Sequence, residues 1–136
     1  MDLLVNIDVD DLAEAIAFYR DAFALRVGRR FGAFGVEMLG SSSPIYLLVK
    51  RDGTKASAAT DDVRRYTRHW TPVHLDFVVP DIEAAVRQAV AAGATVEDEI
   101  DTHTWGRIAH MADPFGHGIC LIEFLGRGYD EIATQP

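Results

Sequence analysis

The side chains best suited to chemistry in this chain of 136 residues are few and scattered. His74 opens the stretch "HLDFVVPDI", Cys120 is the single cysteine, inside "GICLIEF", and Tyr46 sits in "PIYLLVK". An imidazole is a hydrogen-bond partner, a general base near neutral pH, or a metal ligand. A thiol is a nucleophile where a nearby cation lowers its pKa, and a small hydrophobe where it is buried. A phenol can donate to a ligand carbonyl, but it is a poor metal ligand unless ionised, which ordinarily needs a pH of about 10. The stretch "THTWGR" adds His103, Trp105 and Arg107. An indole and a guanidinium together suit stacking on a planar molecule and holding its carboxylate, or else closing the end of a sheet. The sequence has no GxGxxG after a strand, no phosphate loop, no GxSxG and no CxxC, which sets aside those chemistries.

The elements that must position these residues come in two copies. "LLVNIDVDDLAEAIAFYRDAFALRV" from Leu3 and "VHLDFVVPDIEAAVRQAVAAGATVE" from Val73 superpose after a shift of 70 positions, matching Val9 with Val79, Asp11 with Asp81 and Ala15 with Ala85. "PIYLLVK" then superposes on "GICLIEF", which puts Tyr46 opposite Cys120. Each copy opens with an alternating strand. Leu3, Val5, Ile7 and Val9 make an apolar face, with Leu4, Asn6 and Asp8 on the other side. Val73, Leu75, Phe77 and Val79 repeat this, with His74, Asp76 and Val78 opposite. A helix follows each strand, capped by Asp11 or Asp81. The stripes are Leu12, Ile16, Tyr19 and Phe23 in the first and Ile82, Val86 and Val90 in the second, which Gly93 should stop. Three strands are expected after each helix, near residues 27–30, 34–39 and 45–50, and near 95–99, 107–111 and 118–124.

The fold class is therefore α+β, in a single domain 1–136: module one 1–50, connector 51–71, module two 72–125 and a loosely ordered tail 126–136. The connector is long enough for a short helix, with Arg64, Arg65 and Arg68 as its solvated face. His69 and His117 read as surface or turn residues, and Phe115 as an exposed aromatic in the turn "DPFG". A formal net charge of −8 argues against nucleic acid or an anionic membrane surface as partner. A lone cysteine and the absence of a long apolar run fit a cytoplasmic protein.

The doubled strand-helix-three-strand unit, with "VDDLAEAIAFY", "HLDFVVPDIEAAV" and "DPFGHGICLIEF", resembles the vicinal oxygen chelate superfamily of glyoxalases, bleomycin-resistance proteins and extradiol dioxygenases. The resemblance implies a curved mixed sheet around a cavity, helices outside, and a homodimer. In metal-using members four cavity positions supply ligands, and carried over they fall at Leu4, Tyr46, His74 and Cys120. Only His74 carries the residue type that such members use. The expected protein thus binds a small, partly apolar organic molecule without metal. Its ligand-binding residues would be Leu4, Asn6, Tyr46, Leu48, His74, Trp105, Arg107, Cys120 and Ile122, with His74 the catalytic residue if there is chemistry. The alternative is a metal-dependent lyase, isomerase or dioxygenase with an atypical ligand set around zinc, nickel, manganese or iron. A third reading is a dimeric interaction module whose cavity is filled.

Overall fold

The alternation and the caps decide the architecture, and a computed structural model of the protein describes residues 1–134. Strand β1 (Val5–Val9) leads into α1 (Leu12–Phe23), then β2 (Arg26–Arg30), β3 (Gly35–Leu39) and β4 (Ile45–Val49). The second module runs β5 (Leu75–Val78), α2 (Ile82–Ala92), β6 (Thr95–Val96), β7 (Asp101–Thr102), β8 (Gly106–Ala112) and β9 (Gly118–Phe124). The strands form two mixed sheets, not one. The first has the order β1-β4-β3-β2, and the second β5-β9-β8-β6 with β7 also paired to β8. In both, the first strand lies parallel to the last, β1 on β4 and β5 on β9, as the crossover through a helix requires. The fold class α+β holds, with the two sheets left open.

Both helices begin where the sequence puts a cap. The Asp11 carboxylate accepts from the Glu14 N–H and the Asp81 carboxylate from the Ala84 N–H, each at 3.0 Å. Gly93 closes α2 at φ 119°. The helices pack on the strand faces of Val5, Ile7 and Val9 and of Leu75 and Phe77, and on each other. Phe23 of α1 stacks on Phe77 of β5 with ring centroids 4.0 Å apart, and Gln88 of α2 donates to the Asp21 carbonyl at 2.8 Å. One apolar core thus runs through both modules, from Ile7 and Phe18 to Ile119 and Leu121. The buried line of α1 is Ala15, Phe18, Tyr19 and Ala22, rotated from the expected stripe, and Val90 of α2 is exposed.

Several expectations need correction. Phe115 is buried, 1 % exposed, because the turn folds its ring into the core. The connector contains no helix. It folds back through an antiparallel bridge between Lys55 and Val63. Two of the three arginines are not part of a free face: Arg64 pairs with Asp8 and Arg68 with Glu97, while Arg65 is exposed as expected. The tail forms a 3-10 turn at Gly128–Glu131, where Tyr129 packs edge-on against Phe124. The last two residues of the expected tail, 135 and 136, lie outside the described residues.

Candidate functional site

Strand parity places the polar and functional residues on the sheet faces turned away from the helices. On the first module these are Leu4, Asn6 and Asp8, Tyr46 and Leu48 of β4, and Glu37 of β3. The pairing brings Asn6 beside Tyr46, Asp8 beside Leu48, and Tyr46 beside Glu37. On the second they are His74, Asp76 and Val78, Cys120 and Ile122 of β9, and Ile108 and His110 of β8. Asp76 and His110 flank Cys120, while Val78 and Ile108 flank Ile122.

A cleft of about 510 Å³ opens where the leads into β1 and β5 approach one another. Leu3, Leu4, Val5 and Ile7 form one wall, and Val73, His74 and Leu75 the other, with Asn6 and Asp8 as polar points. His74 also borders a second hollow of about 380 Å³, where it meets Cys120, Ile108, His110, Glu97, Arg68 and Trp70. His74 therefore links Leu4 on one side to Cys120 on the other. Tyr46 is one strand further out from the cleft than Asn6. Its hydroxyl donates to Glu37 Oε1 at 3.1 Å and accepts from Arg29 Nη2 at 2.9 Å.

The electrostatics follow from these contacts. His74 Nδ1 lies 2.9 Å from Asp76 Oδ1, and the imidazole is half exposed. Burial, and then the neighbouring Asp76 carboxylate, push the Cys120 thiol up to about 11. A thiol held protonated in this way is a poor nucleophile. Glu37 is nearly buried, yet bonds from the Arg29 side chain and backbone N–H, with a further one from Tyr46, lower it to about 2. Arg29 remains largely exposed beside it.

Five of the expected ligand residues border neither hollow: Tyr46, Leu48 and Ile122 lie on the sheet faces turned from the helices but outside both, and Trp105 and Arg107 are placed elsewhere. Arg107 shares its parity with Ala109 and Met111, so it lies on the helix-covered face. It donates to Glu83 of α2 at 2.8 Å and lies 3.6 Å from Glu123. Trp105 stacks on His103, with centroids 5.3 Å apart, and leans on Tyr129 of the 3-10 turn. It closes the end of the second sheet. Conversely, His110 and Glu97, which no motif singles out, border a cleft, and so do Arg68, His69 and His117, which were expected on the solvated surface or in turns. His110 was accessible to strand parity, since it is in phase with Ile108. Its Nδ1 is buried without a hydrogen-bond partner.

The four positions carried over for a metal supply at most two donors. Leu4 has none, and Tyr46 is committed to Glu37 and Arg29, which leaves His74 and Cys120. Asp76 adds a carboxylate that no carried-over position supplies: ligand atoms of His74, Asp76 and Cys120 all lie within 4.8 Å of one another.

Comparison with known proteins identifies the architecture. A family model described as a glyoxalase-like domain matches residues 4–122. An uncharacterised protein of Mycobacterium bovis is 34% identical over 113 residues, covering 80% of this chain and 74% of that one. The anthracycline biosynthesis protein DauV of Streptomyces sp. is 33% identical over 125 residues, covering 88% of this chain but only 40% of its own length. Among solved structures, a glyoxalase/bleomycin resistance protein/dioxygenase family enzyme from Burkholderia phytofirmans superposes with a TM-score of 0.69 at 20% identity, over 92% of this chain and 100% of that one. The fosfomycin resistance protein FosX of Listeria monocytogenes gives a TM-score of 0.69 at 15% identity, over 90% and 87% of the two chains.

Proposed function

The chain belongs to the glyoxalase-like domain family, and we propose that it uses this fold to bind a small, partly apolar organic molecule without metal. The observation that carries this reading is the cleft of about 510 Å³ lined by both Leu4 and His74. That volume lies within the range of small-molecule sites, roughly 300–1,000 Å³. Its walls are mostly aliphatic, and Asn6 and His74 are well-placed polar anchors, which suits a flat molecule with one or two oxygens. Two relatives named as anthracycline biosynthesis proteins accord with a planar ring system as ligand. His74, with Asp76 at 2.9 Å, is the group able to take or give a proton if the bound molecule is also transformed. Leu3, Leu4, Trp70, Val73 and Val78 are exposed apolar residues, and a second copy of the chain covering them would complete the cavity as a homodimer in the cytoplasm.

The test is a thermal-shift screen of planar aromatic acids and quinones, followed by calorimetry on two variants. A hydrogen bond from a half-exposed imidazole is worth about 0.5–1.5 kcal/mol, so His74→Ala should weaken binding about two- to tenfold. Cys120→Ser should leave affinity unchanged. Loss of binding in Cys120→Ser with His74→Ala intact overturns the reading.

A second reading has one observation in its favour, the convergence of His74, Asp76 and Cys120. Three protein donors with open positions are what a catalytic divalent metal takes, and would point to lyase, isomerase or dioxygenase chemistry. Elemental analysis of protein purified without chelators separates the two. One zinc, nickel, manganese or iron per chain, lost in Cys120→Ser, favours this second reading.

A further inference from the structure

The connector and the turn before β9 bring together two histidines that the ligand reading does not use. Gly116 makes the contact possible. Its φ is +84°, and a Cβ there would overlap the Thr67 carbonyl, so only glycine lets the two backbones approach so closely. The His69 N–H then donates to the Gly116 carbonyl at 3.1 Å, and the His117 N–H donates to Asp113 Oδ1 at 2.9 Å. Both backbones are fixed, and the rings meet edge to face with centroids 4.8 Å apart.

The nitrogens present an accounting problem. His69 Nδ1 lies 2.9 Å from the Thr67 carbonyl, and His117 Nε2 lies 2.7 Å from the Asp8 carbonyl. A carbonyl only accepts, so hydrogen-bond complementarity assigns an N–H to each of these outer nitrogens. A neutral imidazole has one N–H. The inner nitrogens, His69 Nε2 and His117 Nδ1, therefore turn lone pairs toward each other across 3.0 Å. Two facing lone pairs repel, and a cation between them reverses the sign.

We propose that His69 Nε2 and His117 Nδ1 form a two-histidine seat for a borderline divalent metal ion of the zinc, cobalt, nickel or copper class. Imidazole nitrogen is a preferred donor for these ions. Ligating histidines characteristically give their other N–H to a backbone carbonyl or carboxylate, and both rings do so here. Two metal–nitrogen bonds of about 2.0–2.1 Å at a tetrahedral angle set the nitrogens about 3.3 Å apart, so the rings need to part by only roughly 0.3 Å. Both histidines border the large cleft and a neighbouring one of about 320 Å³, which leaves the remaining positions open to water. The guanidiniums packed nearby are compensated, Arg64 by Asp8 and Arg68 by Glu97, each at 2.7 Å. The seat shares no residue with the cluster of His74, Asp76 and Cys120.

The experiment is a titration of chelator-stripped protein with Co²⁺, followed by visible absorption, and with Zn²⁺, followed by calorimetry. One ion per chain is expected. Removing an outer-shell partner of a metal ligand typically costs about 10–100-fold in affinity, and losing a ligand costs at least as much. His69→Ala and His117→Gln should therefore each bind about tenfold or more weakly. Cys120→Ser and His74→Ala should bind as the wild type does. The glutamine amide can still donate to the Asp8 carbonyl, and circular dichroism in chelator checks its fold. Should it fail to fold, His69→Ala decides alone, since the described hydrogen bonds of that ring go only to Thr67 and His117. Absence of saturable binding in the wild type overturns the proposal and leaves a shared proton as the occupant. Binding that survives His69→Ala but is lost in Cys120→Ser overturns it too.

Discussion

Replacing Tyr19 by phenylalanine removes one atom from a buried polar contact between the two modules. The Tyr19 hydroxyl, on α1, donates to Asp113 Oδ2 at 2.7 Å, and the two residues are 0% and 4% exposed. The other carboxylate oxygen already accepts the N–H groups of Phe115 and His117, each at 2.9 Å. Among the described hydrogen bonds, Tyr19 is the one donor to Oδ2. The phenyl ring would keep the edge-on packing with Phe18, whose centroid is 5.0 Å away, so no cavity opens. What is lost is a hydrogen bond to a charged acceptor, worth about 1.5–3 kcal/mol, with the acceptor left stranded. For a domain of this size each kcal/mol moves the thermal midpoint about 3–5 °C, so a fall of about 5–15 °C is expected. Urea titration should show a lower midpoint with an unchanged slope. Alkaline pH supplies a second signature. Burial, followed by the Asp113 charge, holds the Tyr19 phenol well above its ordinary value. A raised pKa contributes stability that is full below about pH 10 and lost as pH climbs through the folded value. The phenylalanine variant should therefore decline less steeply above that pH. A loss under about 0.5 kcal/mol, or no coupling to Asp113→Asn in a double-mutant cycle, would refute the reasoning.

Three other outcomes follow from the same geometry. Cys120, pushed up to about 11 from an ordinary 9, should react with iodoacetamide at pH 8 about a hundredfold more slowly in the native protein than a free thiol does; equal rates in native and urea-unfolded protein would contradict this. Glu37 is held at about 2, so its contribution to stability is present above about pH 4.5 and lost as pH falls toward 2; Glu37→Gln should lower the melting temperature at pH 6 and flatten its acid dependence, and an identical acid slope in both proteins would count against it. Gly116→Ala should cost about 2 kcal/mol or more, because a left-handed residue would also have to displace the Thr67 backbone, and limited proteolysis should then cut the connector faster; a neutral alanine would mean the approach is looser than described.

The sequence was informative wherever the physics is periodic. Val5, Ile7 and Val9, and their counterparts Leu75 and Phe77, revealed two equivalent strands because residues two apart share a sheet face. Asp11, Asp81 and Gly93 marked helix ends because their side chains, or the lack of one, answer a local backbone need. The rotated stripe of α1 shows where such reading weakens. Ala15 and Ala22 are buried because they are small enough for close packing, a property that hydrophobic weight does not register. Arg107 was misplaced by its attractive neighbours, although its phase with Ala109 and Met111 assigns it to the helix side. The polar chemistry has a different origin. Tyr19 meets Asp113 across 94 residues, and His69 meets His117 across 48, and neither separation has a period. Both contacts converge on the turn from Asp113 to His117, whose backbone carries Gly116 against the connector while its carboxylate holds Tyr19. That turn fixes the second module to α1 and sets the histidine pair beside the cleft. A change there should therefore reach stability and the cleft together, whereas a change at Tyr46 or Glu37 should stay within the first sheet.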